Sequence, residues 1–91
     1  MVSIKKLCRK AKNKNDWKRL SFDEMIRLAK YFGAEVEPKE GSIYNIYYPA
    51  DSTSPSLQLH KPHSGKGKDV PEEYKKNFIN LFTDNIEEIT K

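Results

Sequence analysis

The apolar residues of this chain keep a helical period up to Phe32 and alternate in the runs between Gly33 and His60, and that switch narrows the folds open to it. On the near side, Phe22, Met25, Ile26, Ala29 and Phe32 make one helical face, and Ser21 with Glu24 three residues on forms a capping box. Gly33 stands where a left-handed C-cap is wanted, since a residue without Cβ takes positive φ at no steric cost. On the far side, Ala34-Glu35-Val36-Glu37 alternates as a half-buried strand, Pro38 to Ser42 supplies turn residues, and Ile43 to Tyr48 is a β-branched and aromatic run. The two runs predict a hairpin.

Pro49 to Pro55 is a loop by composition, and Ser56-Leu57-Gln58-Leu59-His60 alternates again as a third strand, with His60 opposite the face of Leu57 and Leu59. Pro71 suits the first turn of a closing helix, Glu72 and Glu73 favour its positive end, and Tyr74, Phe78, Leu81, Phe82, Ile86 and Ile89 line one face. Before all this, Ile4, Leu7, Cys8 and Ala11 recur at helical spacing among lysines, which predicts a basic amphipathic helix over residues 3–12. Its stripe is narrow, so it is expected to pack lightly or fray, and nothing larger than Leu7 is there to enter a membrane surface. Trp17 is expected to staple the start of the next element. The predicted class is α+β: helix, three antiparallel strands and helix, the helices on one face of the sheet, preceded by the basic helix.

Ninety-one residues suit one small core. The chain divides by charge into a basic helical stretch and connector, 1–16, and a domain, 17–91. Residues 1–19 hold eight Lys or Arg against Asp16 alone, or +7, which leaves nine basic and twelve acidic groups, or −3, for the rest. Such a distribution fits contact with nucleic acid, and equally a solubilising face or a surface for an acidic protein. The lone Cys8 excludes an internal disulfide, and no apolar run long enough for a signal peptide or membrane span opens the chain, so a cytoplasmic location and no membrane partner are expected.

The stretch His60-Lys61-Pro62-His63-Ser64-Gly65-Lys66-Gly67-Lys68 gathers both histidines, three lysines and two glycines without a carboxylate. Glycine N–H groups can turn toward a phosphate, lysine supplies charge, and histidine moves protons near neutral pH. His60 and His63 are the candidate pair for moving protons at a bound polyanion, with Lys61, Ser64, Gly65, Lys66, Gly67 and Lys68 as phosphate contacts. A solvated loop with ordinary histidines explains the same residues. Two imidazoles with Asp69 the sole nearby carboxylate make a poor zinc site, so no metal or cofactor is expected, and Cys8 reads as packing. On the second strand Tyr44, Ile46 and Tyr48 share one face and Ile43, Asn45 and Tyr47 the other, so one aromatic set looks away from the helices. Tyr44 and Ser42 are the candidates there for contact with bases and backbone, against ordinary cross-strand packing.

In this order, Tyr31-Phe32-Gly33-Ala34-Glu35 ending the first core helix, Gly41-Ser42 opening the second strand and Leu59-His60-Lys61-Pro62-His63 ending the third, residues from about 21 to 86 resemble the HicA family of bacterial toxins. The resemblance implies a double-stranded-RNA-binding-domain-like fold and an mRNA interferase that cuts RNA without a metal and is silenced by a HicB-type antitoxin. The family commonly has a histidine directly after the Gly-Ser pair, where this chain has Ile43. Isoleucine transfers no proton, so either the chemistry has moved to His60 or His63, or the chain binds without cutting.

Overall fold

In the computed structural model, which describes residues 3–61 and 70–91, the chain runs α1 (Ile4–Lys12), α2 (Phe22–Tyr31), β1 (Glu35–Pro38), β2 (Ile43–Tyr47), β3 (Leu57–His60), α3 (Glu72–Leu81) and α4 (Thr83–Thr90). The architecture is α+β, with one antiparallel three-stranded sheet in the order β1-β2-β3.

The capping box at α2 forms as its sequence requires. The Glu24 N–H donates to Ser21 Oγ at 3.2 Å and the Ser21 N–H donates to Glu24 Oε1 at 2.9 Å, which satisfies two N–H groups that the helix itself cannot. Gly33 follows at φ +91° and turns the chain into β1. Strand alternation then sends Val36, Tyr44, Ile46, Tyr48, Leu57 and Leu59 toward the helices, where Ile46 and Leu59 are fully buried. Glu35, Glu37, Ile43, Asn45, Tyr47, Gln58 and His60 take the other parity.

Three expectations are corrected. The first concerns α1, which does not pack lightly: Leu7, Cys8 and Ala11 are 1%, 0% and 3% exposed and belong to the same core as Met25, Phe78 and Ile86. Two of the three are small, so a narrow stripe lets the helix approach closely and bury these three, with Ile4 partly buried at its start. Burial pushes the Cys8 thiol pKa up, consistent with a packing role. Charge changes near residue 16, but the core continues across it.

Second, the closing helix breaks at Phe82 (φ −106°, ψ 16°) into α3 and α4. There the Thr83 hydroxyl donates to the Ile79 carbonyl at 2.9 Å, a back-bond that bends helices. Phe82 itself is fully buried, with ring centroids 4.8 Å from Phe78, 5.0 Å from Tyr48 and 5.3 Å from Phe32. The bend swings α4 alongside α1.

Third, Trp17 opens a 3₁₀ turn, Trp17–Arg19, and is half-buried at the edge of a cavity that Ala11, Lys76 and Ile79 also line. The residue before the α2 cap is Leu20, and it is the one fully buried in the core beside Met25.

Candidate anion-binding corner

Strands β2 and β3 finish together, and their terminal register pair is Ile43 with His60. One residue further, the Lys61 N–H donates to the Ser42 carbonyl at 2.8 Å. That bond carries the ladder into the turn and holds Ser42 at φ +66°, a left-handed conformation that costs a non-glycine residue about 1–2 kcal/mol. Gly41, just before it, takes φ +70° without that cost.

The His60 ring stacks on Tyr74 of α3, centroids 5.6 Å apart and planes 10° from parallel. Stacking fixes the plane of an otherwise exposed imidazole and brings the start of α3 to the end of β3. Lys61 is exposed beside it. Of the residues picked out from sequence, Ser42, His60 and Lys61 therefore come together. His63, Ser64, Gly65, Lys66, Gly67 and Lys68 lie outside the described residues. Tyr44 is not at the corner: its ring turns toward the helices and meets Phe22 edge-on at 5.0 Å.

The outward aromatic on β2 is instead Tyr47, whose hydroxyl donates to Glu37 Oε1 at 2.8 Å. That bond is the leading reason the Glu37 carboxyl sits below its ordinary pKa, outweighing partial desolvation, with Lys39 Nζ at 3.4 Å and Asn45 adding to it. Asn45 sits between Glu37 and Gln58 in register, only 7% exposed, and its Oδ1 accepts no hydrogen bond from the described residues. The outward face is thus polarised, with carboxylates along β1 and imidazole and ammonium at the end of β3.

Tyr74 and Tyr47 were not singled out by sequence as site residues. Tyr74 counted as one more apolar residue of the closing helix, because nothing local links positions 60 and 74. Parity alone offered Tyr47 as the alternative to Tyr44, and the aromatic contact with Phe22 decides between them.

No protein-family model matches this chain, and neither a curated protein nor a solved structure matches it. The likeness to the HicA family rests on the residues quoted above. Among the described residues no helix is long and apolar enough to cross a membrane, and no three His, Cys, Asp or Glu side chains gather to hold a metal ion.

Proposed function

We propose that this chain is a HicA-like toxin with a double-stranded-RNA-binding-domain-like arrangement, acting on mRNA in the cytoplasm and silenced by a HicB-type antitoxin. One observation carries the reading: His60 lies directly across the ladder from Ile43, with Lys61 and Ser42 adjoining. Directly opposed residues in an antiparallel pair have Cβ atoms about 4.5–5.5 Å apart. An imidazole at 60 therefore serves almost the same patch of surface as the histidine the family commonly carries at the position of Ile43.

The chemistry follows from that placement. A base removes the 2′-OH proton, the 2′-oxygen forms a bond to phosphorus, the bond to the 5′-oxygen breaks, and an acid returns a proton to that oxygen. His60 supplies one of these transfers and His63 the other, while Lys61 faces the charge growing on phosphorus. A second reading, a nucleic-acid-binding module that does not cut, is favoured by Ile43 itself, which puts an aliphatic group where a second imidazole would stand.

Purified protein incubated with single-stranded RNA in EDTA tests both. Cutting that disappears in His60→Ala, with the circular dichroism spectrum unchanged, supports the toxin reading. Salt-sensitive binding with intact RNA selects the second. Absence of both cutting and binding removes the two together.

A further inference from the structure

We propose that the groove between α1 and the start of α2 is a second phosphate-binding surface, which carries the backbone of an RNA strand away from the His60 corner. The proposal rests on the RNA-binding reading above and names residues that reading does not use. The groove measures about 440 Å³, and Lys6, Arg9, Lys10 and Arg19 line it with Asp16 and Glu24.

Its charge is not spread evenly. Lys10 Nζ is 3.0 Å from Glu24 Oε1, and that carboxylate also accepts from the Ser21 N–H, so Lys10 and Glu24 neutralise one another. What remains is Lys6, Arg9 and Arg19 against Asp16, a net +2. Lys6 and Arg9 stand three residues apart on α1, about 4.5 Å of helix rise, and point to the same side. An arginine in that position offers a phosphate two parallel N–H donors.

Two further features give the groove its occupant. The first is rigidity. Leu7, Cys8 and Ala11 anchor α1 in the core at 1%, 0% and 3% exposure, so the backbone that carries Lys6 and Arg9 is fixed before anything binds. The second is continuity with the corner. The 3₁₀ turn Trp17–Arg19 adjoins α3, where Lys75 Nζ donates to the Lys18 carbonyl and Lys18 Nζ lies 3.9 Å from Glu72. Tyr74, in the same first turns of α3, carries His60. Arg19 thus lines the groove and borders the element that touches the corner. Every side chain of the lining is charged or an amide, whereas a protein partner needs an apolar centre to its interface. A phosphodiester strand fits this lining better.

The test is the double variant Lys6→Gln/Arg9→Gln in the full chain, titrated with a fluorescent RNA of about 16 nucleotides over a range of salt. Both residues are exposed, so its melting curve should overlay the wild type. Loss of two contacts lowers the salt slope by about 1.4 and weakens binding about 25-fold near 0.1 M salt. An unchanged slope and affinity overturns the proposal. If Lys61→Gln weakens the same RNA in that case, the reading of the corner stands without the groove. A wild-type protein that binds no RNA overturns both. Polyglutamate binding that the double variant loses, with RNA binding unaltered, assigns the groove to an acidic protein and also overturns it.

Discussion

Truncating Leu7 to alanine distinguishes a core helix from an appended one, because the two arrangements differ in expected cost by several kcal/mol. Leu7 is 1% exposed and packs in the single core with Met25, Phe78 and Ile86. Removing the outer atoms of a buried leucine costs their transfer free energy plus the cavity left behind, about 3 kcal/mol. A chain of 91 residues has roughly 5–14 kcal/mol in total, so a fifth or more of its stability goes. For a domain of this size that loss lowers Tm by about 12–24 °C. Urea unfolding followed by circular dichroism gives the free energy directly, and the m value should not change, since the surface exposed on unfolding is nearly the same. Ile4→Ala is the internal control: half-buried at the start of the same helix, it should cost about 1 kcal/mol. A Leu7→Ala protein within about 0.5 kcal/mol of the wild type would refute the packing of α1 and, with it, the rigidity assigned to the basic groove.

Two more substitutions check the placement of single side chains. Tyr44→Ala should cost about 2 kcal/mol in the same urea assay, through lost packing on Phe22, and leave RNA affinity within about twofold of wild type, because the ring faces the core; a loss of affinity without loss of stability would reverse that assignment. Glu24→Ala should cost about 1 kcal/mol at neutral pH by removing half of the capping box and the partner of Lys10. Partial burial works to raise the Glu24 pKa, but the Ser21 N–H, the Lys10 ammonium and the Ser21 hydroxyl together leave it below the ordinary value. A depressed carboxyl stabilises the fold above its unfolded pKa of about 4.3 and loses that contribution as pH falls through the folded value. Melting curves of wild type and Glu24→Ala should therefore converge below about pH 4 and stay apart at pH 7; a constant gap would remove the carboxylate from the account.

Local chemistry was the legible part of this fold. The α2 cap, the glycine that ends the helix and the parity of the three strands each depend on residues a few positions apart, and each forms as read. What was hidden depends on contacts distant in sequence. The apolar stripe of α1 is narrow by count, and the bend at Phe82, which brings α4 against it alongside α2, makes that stripe a buried seam. The bend had no Gly or Pro to announce it; a threonine back-bond and a buried aromatic cluster produce it. At the site, parity showed that one aromatic set must face outward but not which, since Tyr44 and Tyr47 are equally suited to either face until Phe22 is placed. The stacking of His60 on Tyr74 joins a strand to a helix across the connection between them and left no trace in the pattern of either element.

Charge on the outward face then decides which way a polyanion bound at the corner can run. A strand laid across the sheet from β3 toward β1 leaves Lys61 and His60 and meets Glu37 and Glu35, with Lys39 beside Glu37. Each like charge approached to about 4 Å costs about 1 kcal/mol in water and more beside a low-dielectric surface. The opposite course crosses the start of α3, where Lys18 answers Glu72 and Glu73 stands exposed, and reaches Arg19, Arg9 and Lys6 beside Asp16, which leaves it net positive. Both courses start from the same imidazole, so the route is set by the sign of the charges on either side of it. Raising salt should weaken a strand held along the second course steeply, whereas along the first, where Lys61 and Lys39 are offset by Glu37 and Glu35, the dependence should be shallow. The steepness of the salt dependence at a fixed RNA length therefore separates the two paths without a further substitution.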